Sequence, residues 1–189
     1  MYKRQDYLGL ETLDIIDDTL KMAGITWEDV DINHLDLNDK AVFDTVYKNG
    51  NTVGIFQMES AEARRMCIEA KADNVEDIIV VNAANRPGTK ESFPTYCQNK
   101  LHPESVEVLH DDLRELFGKT HFILLYQEQA LQLFRHAGFP EDQVDNARRA
   151  MGKKIKAVME GLETDFRKGL TEKGWNNDCL LYTSPSPRD

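Results

Sequence analysis

The chain has 189 residues, 41% of them hydrophobic and 30% charged, with a net charge of −10. That balance excludes a wholly disordered chain and leaves material for one sizeable core or one and a half small ones. No apolar run approaches the ~20 residues that a spanning helix needs. The opening Met-Tyr-Lys-Arg-Gln-Asp has no apolar segment of a secretory signal behind its charges, so no membrane association is expected. Cys67, Cys97 and Cys179 form neither a CxxC pair nor a disulfide framework, which points to a reducing, cytoplasmic setting.

In chain order, residues 2–8 read as a short strand released at Gly9. Leu13, Ile16 and Leu20 recur at helical spacing and predict a helix over 11–22, stopped at Gly24. Thr26 to Asn38 is polar and reads as a loop. Asp39 is placed to cap a helix over 40–48, and Asn49-Gly50 ends it. Val53 to Phe56 is a short strand candidate. Ser60 and Asn74 cap helices running to about 70 and 84, and Arg86-Pro87-Gly88 breaks the second. Three prolines make 87–103 a loop. Val106, Leu109, Leu113 and Leu116 give helical spacing across 104–116, and residues 122–126 form a buried apolar run. Gln127 to Ala137 is helical with Leu131 and Phe134 inward and Gly138 as stop. Pro140 opens a helix to Met151, Gly152 bends or ends it, and a last helix runs over 155–173 to Gly174. The fold class is mainly α with a few short β-strands.

Residues 179–189 do not continue the helical pattern. They resemble translated read-through of a transposase adapter used in sequencing libraries. Residues 177–189 are therefore expected to be a non-native tail, in which Cys179 has no function.

Several chemical candidates fail on spacing. Gly118-Lys119-Thr120 looks like the end of a P-loop, but the glycine required five positions earlier is Leu113. His34, His102, His110, His121 and His136 form no metal-binding pattern and read as surface residues. Asp14, Asp17 and Asp18 read as a solvated helix face. Arg4 and Asp6 share one face of the expected strand, an arrangement that suits either a surface ion pair or a joint hold on metal and phosphate.

The basic stretch stands apart. Ala147 to Val158 contains Arg148, Arg149, Lys153, Lys154 and Lys156 and no acid. Two arginines late in a helix complement its dipole. Adjacent arginines projecting about 100° apart could also grip one polyphosphate from two sides.

An ordered set of motifs carries more weight. It consists of Gln-Asp-Tyr-Leu-Gly-Leu-Glu-Thr-Leu (5–13), Gly-Ile-Phe-Gln-Met-Glu-Ser (54–60), Glu-Asp-Ile-Ile (76–79), Asn-Arg-Pro-Gly (85–88), Leu-Tyr-Gln-Glu-Gln (125–129) and Arg-Arg-Ala-Met-Gly-Lys-Lys (148–154). In order and spacing it resembles the bacterial DNA polymerase III alpha subunits, the C-family replicative polymerases, over residues 2 to about 176. The resemblance implies that residues 1–10 are the last catalytic strand of the palm and 11–176 a partial fingers region. The fold is then a helical fingers region attached to a remnant palm strand.

The resemblance also implies roles. Asp6 would be a catalytic, metal-binding carboxylate. Arg4, where the family usually has lysine, would lie by the triphosphate of the incoming nucleotide with Arg148 and Arg149. Gln57, Arg86, Gln127, Gln129, Lys153 and Lys154 are candidate substrate or DNA contacts, and Glu59 matches a motif position without an assigned role. After Arg86-Pro87-Gly88 the chain reads Thr89-Lys-Glu-Ser-Phe-Pro, where the family usually has proline and a Ser-Gly-Met patch. That departure fits a phage-encoded or remote member.

The implied reaction is nucleotidyl transfer from a deoxynucleoside triphosphate to a primer 3′-hydroxyl, using two Mg²⁺ ions. The implied partners are primer-template DNA, the nucleotide, and a sliding clamp and replisome subunits reached through regions absent here. The family's Asp-x-Asp pair lies upstream, so the chain alone is expected to be inactive. The alternative is a non-catalytic helical module that binds a phosphorylated ligand or nucleic acid through 148–156. No aromatic residue lies between Phe139 and Phe166 to stack bases, which disfavours it. An all-helical protein-interaction domain would leave the motif order unexplained.

Overall fold

A computed structural model describes residues 9–183. Among these the regular structure is entirely helical. The helices are α1 (Glu11–Ala23), α2 (Trp27–Val30), α3 (Lys40–Val42), α4 (Ala61–Glu69), α5 (Val75–Ala84), α6 (Phe93–Leu101), α7 (Asp112–Phe117), α8 (Gln127–His136), α9 (Glu141–Gly152), α10 (Lys156–Glu172) and α11 (Asn177–Thr183). A π-turn, Phe43–Tyr47, continues α3.

The capping residues behave as their chemistry demands. The side chains of Asp39, Ser60 and Asn74 accept from the backbone N–H groups of Ala41, Ala63 and Asp77. Gly24 closes α1 in the left-handed conformation, φ 72°.

Several expected elements differ. The strand expected over 2–8 lies outside the described residues. Val53–Phe56 is a turn: Gly54 and Gln57 adopt φ 81° and 62°, and the buried Thr52 hydroxyl donates to Met58 O at 2.5 Å, closing the loop on itself. No strand among the described residues offers it a ladder. Residues 87–103 contain α6, because Pro94 sits in the first turn, where its missing N–H costs nothing. The polar stretch 26–38 contains α2, held by a capping box between Thr26 and Asp29. Over 104–116 a 3-10 turn ends at Ser105 and α7 begins only at Asp112, so Val106 and Leu109 lie between them. Residues 177–183, expected to break the helical pattern, form α11, and Cys179 and Leu180 are buried. The Asn176 side chain caps it, accepting from Cys179 N–H at 2.9 Å.

Two apolar cores result. The first gathers α4, α5 and α6 around Met66, Val80, Val81, Phe93 and Tyr96. The second gathers α7 to α11 around Phe117, Leu133, Phe134, Val144, Phe166, Leu170 and Trp175. The buried run joins them. Ile123 and Leu125 pack into the first core, while Phe122 and Leu124 pack against the second. Alternation of side chains thus feeds both cores from one segment. Helix α1 joins neither: Leu13 and Ile16 stay exposed and only Leu20 is buried. Its acidic face behaves as expected, with Asp17 paired to Lys21.

Candidate functional site

The basic motif occupies the junction of α9 and α10. Ile155 N–H donates to Ala150 O at 2.9 Å and Lys154 N–H to Met151 O at 3.2 Å, a Schellman closure of α9. The position that favours glycine holds Lys154, at φ 52°, while Gly152 lies two residues too early to take it. Helix α10 then begins at Lys156 with no side-chain cap and no acid in its first turn. Lys153, Lys154 and Lys156 therefore crowd a positive helix end, where cations are unfavourable. Such an end has free N–H groups and accumulates positive charge.

The arginines are held differently. Asp145 was not counted in the basic stretch, yet its carboxylate serves both. Arg148 donates to Oδ1 from Nε at 2.9 Å and from Nη2 at 2.7 Å, and Arg149 Nη2 lies 3.1 Å from Oδ2. Arg148's hydrogen bonds, aided by the charges of both arginines, hold the Asp145 carboxyl below the usual carboxylate value. Lys156 lies 3.8 Å from Glu160. The five cations are thus not all unneutralised. Lys153 and Lys154 are the two without an acidic partner among the described residues.

The other sequence candidates are dispersed. Gln57 is exposed on the 52–58 loop, Arg86 is exposed after α5, and Gln127 is exposed at the start of α8. Glu59 is exposed just before the α4 cap. Arg4 and Asp6 lie outside the described residues. Gln129 is buried, and its carboxamide is used internally. Its Oε1 accepts from Leu125 and Tyr126 N–H, each at 2.9 Å, and its Nε2 donates to Thr120 Oγ1 at 2.7 Å. Thr120 in turn donates to Ile123 O at 2.6 Å. These bonds satisfy the backbone of an apolar run that has no ladder partner. The Leu-Tyr-Gln-Glu-Gln motif therefore has a structural reason.

Two further polar centres were missed. Asp77, 1% exposed, accepts from Tyr96 Oη at 2.6 Å and Lys100 Nζ at 2.7 Å. The same ammonium donates to Ala70 O and Lys71 O at the end of α4, so one lysine ties α4, α5 and α6 together. The Glu-Asp-Ile-Ile motif thus holds a core ion pair. Burial and the Asp77 carboxylate push the Tyr96 phenol far up, so it remains a donor. Cys67 and Cys97 are raised by burial to about 11 and about 12, which leaves them inert thiols.

Asp112 is the second centre. His136 Nε2 lies 2.6 Å from its Oδ2, Trp175 Nε1 donates at 3.1 Å, and His110 Nδ1 lies at 3.3 Å. An open cleft of about 480 Å³ lies beside it, lined with Glu115, Gln132, Arg135 and Lys173. His110, His121 and His136 are thus partly buried, contrary to the surface reading, and each packs against an aromatic ring. Histidine's spacing alone gives no sign of such long-range partners.

No group of three His, Cys, Asp or Glu residues among the described residues is placed to hold a metal ion. The carboxylates of the described residues therefore do not fit a Mg²⁺ site by themselves, since such a site needs several converging oxygens. Among the described residues no helix is long and apolar enough to cross a membrane.

Fold and charge together define a helical module with a cationic helix junction on its surface. Residues 12–174 match the model of the bacterial DNA polymerase III alpha subunit finger domain, and the chain belongs to that family. It is 36% identical over 178 residues to the DNA polymerase III subunit alpha of Staphylococcus aureus strain Mu50, covering 92% of this chain and 16% of that protein. The subunit of the same name from Staphylococcus epidermidis strain ATCC 12228 is 36% identical over 172 residues, 90% of this chain and 16% of the relative. The chain thus spans about a sixth of the length of these relatives.

Proposed function

We propose that the chain serves as the fingers of a template-directed DNA polymerase, and that Arg148, Arg149, Lys153 and Lys154 face the triphosphate of the incoming nucleotide. The observation that carries this is the junction itself: four cations gather where an uncapped helix begins with no acid in its first turn. A polyphosphate arriving there meets charge and free N–H groups already assembled, which is the electrostatic requirement of phosphoryl and nucleotidyl transfer.

Around this centre the family suggests the rest. Asp6 would supply a metal-binding carboxylate and Arg4 a further phosphate contact. Residues 1–10 would belong to the palm and 11–176 to the fingers. Exposed Gln57, Arg86 and Gln127 remain candidate contacts to DNA or nucleotide. Two Mg²⁺ ions would be held by carboxylates beyond the described residues. Primer-template DNA, a sliding clamp and replisome subunits would be partners of the longer protein, in the cytoplasm.

The test is Arg149→Ala in a polymerase that carries this segment with a complete palm. Losing a charge-assisted phosphate contact should lower kcat/KM for the incoming nucleotide about ten- to a hundredfold. Arg149→Lys should recover only part, because it loses the fork. Weaker and more salt-sensitive duplex binding with unchanged nucleotide use would place the arginine on template backbone instead. A change in thermal midpoint alone would reduce it to a complement of the helix dipole.

A further inference from the structure

Two neighbouring arginines on a helix do not converge by themselves. Their Cβ atoms project about 100° apart, and each guanidinium swings on a long stem that carries considerable rotamer entropy. In this structure they converge because one carboxylate lies between them. Asp145 precedes Arg148 by three residues and Arg149 by four, the two spacings that are neighbours on a helix surface. Its Oδ1 takes Arg148 at 2.7 Å and its Oδ2 faces Arg149 at 3.1 Å, so each oxygen has its own fork. Arg149 gains a second tie, Nε donating to Asp145 O at 3.4 Å. All three side chains are about half exposed, so the outer edges of both guanidinium groups remain open to a ligand.

We infer that Asp145 is a positioning residue that holds Arg148 and Arg149 as one double fork for phosphate; this rests on the anion reading of the junction given above. A guanidinium carries five donors, and binding a carboxylate on one edge leaves the rest for phosphate oxygens. The carboxylate subtracts one charge from the pair, which weakens long-range attraction for an anion. It also removes the ordering that the anion would otherwise impose on two flexible side chains. Salt separates these two effects, since it screens the first and leaves the second.

The experiment measures inorganic tripolyphosphate binding to the full chain by titration calorimetry, at low and high salt. At high salt Asp145→Ala should weaken binding by about three- to tenfold, the cost of ordering two side chains. Asp145→Glu should stay within about twofold of the wild type, because glutamate reaches the same two arginines. At high salt, with Arg148 and Arg149 both changed to alanine, adding Asp145→Ala should have no effect, since the aspartate's own charge is screened and its ordering acts only through them. Asp145→Ala binding at high salt as tightly as the wild type would overturn the inference. So would a loss that persists undiminished without the arginines. In both cases the anion reading survives if the arginine variant itself binds more weakly. If wild type and arginine variant bind alike, or neither binds, the anion reading falls and Asp145's role with it.

Discussion

Gly169→Ala offers the sharpest test of the packing that supports the basic junction. Alanine normally stabilises a helix interior by about 1 kcal/mol relative to glycine. Gly169 lies within α10, where a Cβ would sit 1.9 Å from the carbonyl oxygen of Ala137, 2.8 Å from its carbonyl carbon and 3.2 Å from its Cα. These are backbone atoms at the end of α8, so no rotamer change relieves the clash. Restoring van der Waals distance requires α10 to retreat by about 1.5 Å. Phe166 and Leu170, 1% and 0% exposed, would then lose contact with the core on either side of the substitution. Overpacking costs about 1–3 kcal/mol, and a backbone clash belongs at the upper end. After the gain in propensity, the net loss is about 2 kcal/mol, or about 4–8 °C in the thermal midpoint for a chain of this size. Gly161 supplies the control within the same helix: a Cβ there meets nothing within 4 Å. Gly161→Ala should therefore raise the midpoint by about 2–4 °C. Thermal unfolding followed by circular dichroism reads both. A Gly169→Ala midpoint at or above that of the wild type would refute the close packing of α10 on α8.

Two further outcomes follow from the second core. Burial opposes ionisation of Asp112, but the Trp175 N–H, His136 and His110 outweigh it and hold the carboxyl below its ordinary 3.8. A depressed carboxylate contributes stability above its unfolded value and loses it as pH falls through the lower, folded value. The midpoint gap between wild type and Asp112→Asn should therefore be widest near neutrality and close below pH 3.8; a gap unchanged by acid would remove the charge from the argument. Deleting residues 179–189 removes Cys179 and Leu180, 0% and 4% exposed, from the core formed with Trp175. Burying one leucine contributes about 1.5–3 kcal/mol, so the midpoint should fall by several degrees. An unchanged midpoint would restore the expectation that the tail packs nowhere.

What the sequence made legible depended on range. Caps act over three residues, and Asp39, Ser60 and Asn74 were readable because donor and acceptor are neighbours in the chain. The failures came where local pattern and distant partner disagree. Val53 to Phe56 has the composition of a strand, but a strand needs a ladder, and Thr52 closes the segment into a turn instead. The apolar run at 122–126 was correctly expected to be buried, yet its serving two cores could not be read without knowing that α4–α6 and α7–α11 lie on opposite sides of it. Lys100 and Asp77 are 23 residues apart, and neither spacing nor composition joins them.

The motifs divide along the same line. Family order identified the chain, but membership of a motif does not say whether its residues meet a ligand or the core. Gln129 and Asp77 belong to motifs and face inward, where each satisfies groups that would otherwise be buried without partners. Arg148, Arg149, Lys153 and Lys154 also belong to a motif and face outward, on a junction whose backbone carries a lysine in a conformation that favours glycine. A non-glycine residue there costs about 1–2 kcal/mol. Such a cost is retained where the surrounding structure or the function requires it. Glycine at 154 would relieve the strain and remove a charge from the site at once. A lysine in that conformation is a reason, independent of family likeness, to look for an anion at the α9–α10 junction before the cleft beside Asp112. In that cleft, Asp112 is already engaged by His136, and Arg135 by Glu141.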